Sequence, residues 1–129
     1  MPSSGQATDA GPGLVTLARR SDFLAAARAR RQSCPGLLLQ ARRRAPDDPA
    51  GAIRVGYTCS KKVGNAVARN RAKRRLRAAA RAILPERGVP GWDYVLIGRP
   101  EITAARPFAS LCDDLASAVA AIHAPPTNP

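Results

Sequence analysis

The spacing of hydrophobic and polar residues predicts a chain that alternates between short helices and short strands. Phe23, Leu24 and Ala27 follow Ser21 at helical spacing. Because the Ser21 hydroxyl can accept a backbone N–H, this residue is the expected N-cap of a helix that begins there or at the next residue. A Pro-Gly pair at 35–36 ends the segment, since these two residues together favour a turn.

Three segments are expected to form strands. Residues 37–42 and 53–59 read as strands of mixed burial, and the second of them alternates apolar and polar positions. Residues 92–98 form the strongest strand pattern, apolar enough for a central position in a sheet. Residues 44–52 contain two prolines, two aspartates and a glycine, which is a composition typical of a loop.

Two further helices complete the pattern. The first is expected from Asn65 to about Leu84, because the ring and missing N–H of Pro85 disfavour continuation. The second has Pro107 at its head and an apolar stripe at helical spacing. That stripe consists of Phe108, Leu111, Cys112, Leu115, Val119 and Ile122. The order helix, strands, helix, strand, helix predicts an α+β fold, a single two-layer α/β sandwich with three helices packed on one sheet.

The length of 129 residues fits one domain. That domain is expected to span residues 14–124. Residues 1–13 are rich in Ser, Gly and Pro and are predicted to form a disordered tail, and residues 125–129 form a second tail.

The predicted helix that begins near Asn65 has a narrow apolar seam and a wide cationic surface. At about 100° per residue, one stripe collects the small and aliphatic side chains that should pack on the sheet. The stripe consists of Ala68, Ala72, Leu76, Ala79 and Ile83. The polar flanks are Arg69, Asn70, Lys73, Arg74, Arg77 and Arg81 on one side, with Arg71 and Arg75 on the other. Val67 falls on the polar side, where the pattern gives no reason for an apolar residue.

The balance of charge indicates a polyanionic partner. Lys and Arg number 21 against 9 Asp and Glu, which gives a net charge of +12. Nucleic acid is the usual partner of so basic a domain. Acidic residues are absent from 53 to 85, whereas an ordinary solvated helix face mixes both signs. A membrane surface is the competing polyanion, but no apolar run approaches the roughly 20 residues that span a bilayer, so no membrane partner is expected.

Cysteine, histidine and carboxylate positions offer no protein catalyst. Cys34, Cys59 and Cys112 are far apart and form no CxxC pair, so neither a zinc site nor a disulfide framework is expected. Free thiols favour a reducing, cytoplasmic compartment. His123, the single histidine, is expected in a solvated tail. The adjacent Asp113 and Asp114 do not resemble a pair of acid–base carboxylates.

Residues 54–71 read RVGYTCSKKVGNAVARNR, and this segment closely resembles the signature of the bacterial ribonuclease P protein family. The resemblance implies an α/β sandwich with about four strands and a left-handed βαβ crossover. It implies a partnership with a catalytic RNA that removes the 5′ leader of precursor tRNA by metal-dependent hydrolysis. The RNA would supply the active site, and Mg²⁺ would be held mainly by the RNA subunit and the substrate.

The same resemblance assigns site residues and partners. RNA contact carries over to the matching positions Lys61, Lys62, Asn65, Arg69, Asn70, Arg71, Lys73, Arg74 and Arg77. Phe23 and Gln40 carry over to the leader cleft, although Gln40 and Ala27 stand where the family often has aromatic residues. The implied partners are one ribonuclease P RNA and precursor tRNA, in a 1:1 complex of protein and RNA. A structural RNA-binding protein of the ribosomal type and a self-contained nuclease are the alternatives.

Overall fold

The computed structural model describes residues 14–44 and 52–124. The two predicted tails, and residues 45–51 of the predicted loop, lie outside the described residues. The strands are β1 (Leu14–Thr16), β2 (Arg30–Ser33), β3 (Leu37–Arg43), β4 (Ile53–Thr58) and β5 (Trp92–Gly98). The helices are α1 (Arg20–Ala27), α2 (Ala66–Arg87), α3 (Ile102–Ala105) and α4 (Phe108–His123), with a 3₁₀ turn at Lys61–Val63.

The strands form one mixed sheet in the order β1-β4-β5-β3-β2. β4 pairs in parallel with β1 and β5, while β3 is antiparallel to both β5 and β2. The predicted α+β sandwich is confirmed, with five strands where about four were expected. β1 and β2 escaped prediction because β1 has only three residues and β2 is wholly polar. The handedness of the β4–α2–β5 crossover stays a prediction.

The core lies between the sheet and the two long helices. Alternate residues of β3, β4 and β5, among them Leu39, Val55 and Leu96, are buried in one cluster with the apolar sides of α2 and α4. The predicted stripe of α4 is largely confirmed, since Leu111, Leu115, Val119 and Ile122 are buried. This packing leaves the opposite face of the sheet to α1, which is anchored there by Ala26.

The apolar seam of α2 follows the prediction closely. Ala72, Leu76 and Ala79 are buried, and Ala80 and Leu84 join them. Ala68 and Ile83, at the two ends of the predicted stripe, are only half-buried. Because alanine dominates the seam, the helix backbone lies close to the sheet: a Cβ built on Gly98 of β5 would be 3.7 Å from the Cβ of Ala72.

Three predicted helix boundaries are wrong. α1 ends at Ala27, well before the Pro-Gly pair at 35–36, because β2 occupies the residues between them. α2 does not stop before Pro85 but continues to Arg87, with the proline inside its last turn. A proline there removes one N–H donor near the helix end, and the fully buried Leu84 holds that turn against the core. α1 begins at Arg20, and its N-cap is Arg19 without a side-chain hydrogen bond, so Ser21 is not the cap.

His123 is not a solvated tail residue. It closes α4, its Nε2 lies 2.6 Å from the Tyr94 hydroxyl, and its ring meets Trp92 edge-on at 4.5 Å between centroids. The Tyr94 hydroxyl also accepts the N–H of Val89 at 2.9 Å, so it links the end of α4 to the segment before β5. The prediction failed because the partners of this histidine come from β5, far away in sequence.

Candidate RNA interface

The loop before α2 presents two lysines to solvent. Lys61 and Lys62 are exposed on the 3₁₀ turn, where the Ser60 hydroxyl accepts the N–H of Lys62. Gly64 then has φ of 137°, a conformation that strains other residues, and a Cβ there would lie 2.8 Å from that of Ala68. Asn65 caps α2, since its Oδ1 accepts the N–H of Ala68 at 3.0 Å. This predicted contact residue therefore has a structural role of its own.

The predicted contact residues of α2 lie along one cationic surface at two levels of exposure. Asn70, Arg71 and Arg74 are exposed, and Arg69, Lys73 and Arg77 are half-buried beside the sheet. We call the following set the basic surface: Lys61, Lys62, Asn65, Arg69, Asn70, Arg71, Lys73, Arg74 and Arg77. Within the described ranges, none of its lysines or arginines forms an ion pair.

Tyr57 and Arg69 carry unpaired polar atoms where the basic surface meets β4. The Arg77 guanidinium lies 5.3 Å above the Tyr57 ring, a cation–π contact. Burial raises the pKa of Tyr57 to about 12, so its hydroxyl keeps its proton. Among the described residues, the Tyr57 hydroxyl and the Arg69 Nε are buried without a hydrogen-bond partner. The fold thus leaves two buried donors unsatisfied where α2 meets β4.

Arg75 behaves differently from its neighbour Arg74. Its guanidinium donates to the carbonyl of Thr103 at 3.0 Å and to the carbonyl of Arg106, tying α2 to the segment around α3. The helical projection had placed Arg75 away from most of the predicted contacts, and the structure assigns this arginine to the fold.

Arginines that do have carboxylate partners lie away from the basic surface. On the α1 face of the sheet, Asp93 is fully buried and accepts hydrogen bonds from Arg44 at 2.8 Å and from Arg54 at 2.7 and 2.8 Å. Asp22, in the first turn of α1, lies 3.5 Å from both Arg42 and Arg54. These contacts offset part of the positive charge of Arg42, Arg44 and Arg54, and those of Asp22 tie α1 to the sheet.

A cleft of about 460 Å³ separates α1 from the sheet. Phe23 and Gln40, the two residues predicted to share a cleft, both line it. The remaining lining residues are Ala18, Arg20, Leu24, Tyr57, Thr58 and Val95. The Phe23 ring rests on Gly56 of β4, where an added Cβ would lie 2.6 Å from two ring carbons. The cleft therefore depends on a glycine opposite its aromatic wall.

Sequence reasoning missed several of these lining residues. Leu24 is 47% exposed and supplies apolar surface one residue after Phe23, while Ala27 is not among the lining residues. Thr58 follows Gly56 by two positions, and strand alternation places it on the same face of the sheet. That periodicity could have identified Thr58, but the position of α1 above it depends on tertiary packing.

Burial shifts the pKa of several titratable groups among the described residues. Desolvation and the nearby Arg30 cation lower the pKa of His123. Burial raises the pKa of all three free thiols, Cys34, Cys59 and Cys112, which disfavours a thiolate nucleophile. No group of three or more His, Cys, Asp or Glu residues suited to a metal occurs in residues 14–44 and 52–124. Over the same residues, no helix is long and apolar enough to cross a membrane.

Fold and site together define a small α+β protein with a cationic helix on one side of its sheet and a cleft on the other. The family model described as Ribonuclease P matches residues 12–123. The ribonuclease P protein component of Ruegeria pomeroyi is 64% identical over 90% of this chain and 92% of its own length. That of Paramagnetospirillum magneticum is 48% identical over 86% and 84%.

Solved structures of low sequence identity show the same fold. The RNase P protein of Staphylococcus aureus superposes with a TM-score of 0.66 at 18% identity, over 84% of this chain and 94% of that one. The RNase P protein of Thermotoga maritima gives 0.58 at 22% identity, over 76% and 87%. The chain belongs to the ribonuclease P protein family, and the resemblance seen in residues 54–71 is confirmed.

Proposed function

We propose that this chain is the protein subunit of a bacterial, cytoplasmic ribonuclease P and binds two RNA elements on two surfaces. The basic surface contacts the catalytic RNA, and the cleft between α1 and the sheet holds the 5′ leader of precursor tRNA. The separation of the cationic helix from the cleft carries the proposal, because it lets one small protein contact ribozyme and substrate together. One protein binds one RNA subunit.

The basic surface suits a phosphate backbone. Its arginines have no carboxylate partner in the described part of the chain, so their forks are free for bidentate contact with phosphate oxygens. Each phosphate neutralised releases condensed counterions, which makes the affinity strong and salt-dependent.

The cleft suits a single strand. The half-buried ring of Phe23 offers a stacking surface, and Gln40 and Thr58 offer hydrogen-bonding groups on the floor. Asp22 and Asp93 engage Arg42 and Arg54 beside this floor. Arg20, by contrast, lines the cleft and is exposed, so leader binding would combine stacking with the charge of Arg20.

The chemistry is assigned to the RNA. Water would attack the phosphorus at the leader junction, leaving a 5′-phosphate on the tRNA and a 3′-hydroxyl on the leader. As the family resemblance implies, Mg²⁺ would be held mainly by the RNA subunit and the substrate. Two of this chain's carboxylates, Asp22 and Asp93, are engaged by arginines. This chain's residues bind and orient the RNAs and offset their mutual repulsion.

Reconstitution tests the proposal. The protein is combined with a bacterial ribonuclease P RNA and precursor tRNA at low magnesium. Cleavage at the mature 5′ end is expected only when protein and RNA are both present. Binding of the RNA without stimulated cleavage would favour a structural RNA-binding protein, and cleavage by the protein alone would reveal a self-contained nuclease.

Variants then separate the two surfaces. Lys62→Ala and Arg69→Ala should weaken assembly with the ribonuclease P RNA and flatten its dependence on salt, each by about one phosphate contact. Phe23→Ala should weaken precursor binding by the roughly 1–3 kcal/mol expected for one stacked base, and should leave affinity for leaderless tRNA unchanged. If all three variants match wild type across a salt titration, the assigned surfaces are wrong.

A further inference from the structure

An apolar residue stands out on the cationic helix. Val67, in the first turn of α2, is 75% exposed, the highest value among the exposed large hydrophobic residues of the described chain. Ile102 of α3 is 47% exposed. Single exposed aliphatic side chains are common on protein surfaces and need no explanation by themselves. Val67, however, forms part of the wall of a groove.

The groove, of about 510 Å³, lies between the beginning of α2 and the segment around α3. Its lining residues are Val63, Asn65, Val67, Ala68, Arg71, Glu101 and Ala104. Aliphatic side chains form most of the wall, while Arg71 and Glu101 bring one charge of each sign. Ligand sites commonly combine such a wall with a few polar groups that fix orientation.

Glu101 is the unexpected member of this set. It is an exposed acid beside a surface that otherwise repels cations and attracts phosphates. Its φ of 63° makes it the one non-glycine residue with positive φ in the described ranges. Such a conformation is costly, and strained residues concentrate at binding sites. A carboxylate can accept a hydrogen bond from the ribose 2′-hydroxyl or from a base, and the apolar wall beside Glu101 suits the face of a base better than a ribose. The amino donors of RNA lie on the base edges.

We propose that this groove binds one unpaired RNA base that carries an exocyclic amino group. The aliphatic wall would cover the face of the base, Arg71 would hold the adjacent phosphate, and the Glu101 carboxylate would accept the amino N–H. Cytosine, adenine and guanine present such a donor, and uracil does not. The inference rests on the proposed binding of RNA by the basic surface and adds base selectivity to it.

Short single-stranded RNAs test the selectivity. Wild-type protein should bind oligocytidine more tightly than oligouridine of equal length, by roughly fivefold, as expected for one well-placed donor–acceptor pair. Glu101→Gln should abolish this ratio, because an amide both donates and accepts. Glu86→Gln removes the same charge from the exposed end of α2 and should leave the ratio unchanged. A ratio near one in wild type, or an unchanged ratio in Glu101→Gln, would overturn the proposal.

The aliphatic wall gives an independent test. Val67→Thr keeps the shape of the side chain but adds a hydroxyl, and should weaken RNA binding by roughly threefold to tenfold without changing the salt dependence, since no charge is altered. Val15→Thr is the matched control on the edge strand β1, 39% exposed. Equal affinity of Val67→Thr and wild type for both ribonuclease P RNA and precursor tRNA would refute the role of the aliphatic wall.

Two binding measurements identify the source of the base. If Val67→Thr loses affinity for ribonuclease P RNA alone, the base belongs to the ribozyme. If it loses affinity for precursor tRNA alone, the base belongs to the substrate. Lys62→Ala is measured in parallel. If Lys62→Ala also binds like wild type, the proposed RNA-binding surface has failed; if Lys62→Ala is weakened and Val67→Thr is not, only the groove is refuted.

Discussion

Arginines in two regions of this molecule have opposite roles. On the sheet, Arg44 and Arg54 surround the buried carboxylate of Asp93, and each is held by several hydrogen bonds. On α2, Arg71 and Arg74 face solvent with no carboxylate partner among the described residues. Net charge alone therefore does not locate the RNA interface, because part of the positive charge stabilises the fold.

The largest effect is expected at the buried carboxylate. Asp93→Asn would leave Arg44, which is 4% exposed, without its compensating charge. Breaking a buried ion pair from one side costs about 3–5 kcal/mol, so the midpoint of urea unfolding should fall strongly. Asp113→Asn, an exposed acid on α4, serves as the control and should change stability by less than about 0.5 kcal/mol. Equal midpoints for the two variants would show that the sheet arginines do not depend on Asp93.

An intermediate effect should separate two adjacent arginines of α2. Arg75→Ala removes hydrogen bonds to two carbonyls and should destabilise the fold by about 1–2 kcal/mol, measured by urea unfolding. RNA binding by Arg75→Ala should depend on salt as it does in wild type. Arg74→Ala should do the reverse: nearly unchanged stability, and a salt slope reduced by about one.

The comparison of the two arginine sets would fail if Arg75→Ala lowered the salt slope as much as Arg74→Ala. It would fail equally if both variants lost the same stability. Because the two residues are neighbours on one helix, the small gain in helix propensity from alanine is the same in both variants and does not affect the comparison.

The smallest effect is expected at His123, because the fold disfavours the protonated imidazole. His123 is hydrogen-bonded to Tyr94. Desolvation by burial and, second, the Arg30 cation lower the pKa of His123 below the ordinary 6.5, so the neutral imidazole is favoured. The unfolded chain therefore binds the proton first. Stability from this group is present above pH 6.5 and is lost as the pH falls through the lower folded-state pKa. His123→Gln should show a flatter pH dependence of unfolding between about pH 7 and 5, and a slope equal to wild type would contradict this account.

Much of the fold was predictable because its main elements are long and strongly patterned. The seam of α2 and the apolar run of β5 could be read directly from residue spacing. The edge strands could not, since β2 gains its structure only by pairing with β3. Asp93 sits within an otherwise apolar strand, and nothing local indicates that arginines from β4 and the end of β3 would surround it.

The candidate site was predictable to a lesser degree. The positions of the basic surface followed from the signature and the helical projection, and alternation in β3 places Gln40 on one face of the sheet. The groove beside Val67 could not be predicted, because its second wall comes from Glu101 and Ala104, more than thirty residues further along the chain.

The position of β5 has a consequence for synthesis. β3 and β4 follow one another in the chain but are not neighbours in the sheet; β5 lies between them and pairs with both. A ribosome therefore completes the cationic helix before the strand that closes the sheet beneath it. Until β5 and α4 have both emerged, α2 lacks most of its packing surface, so the nascent chain exposes both the apolar seam and the charge of this helix. The formation of these distant pairings, rather than of the helix, should then limit the rate of folding.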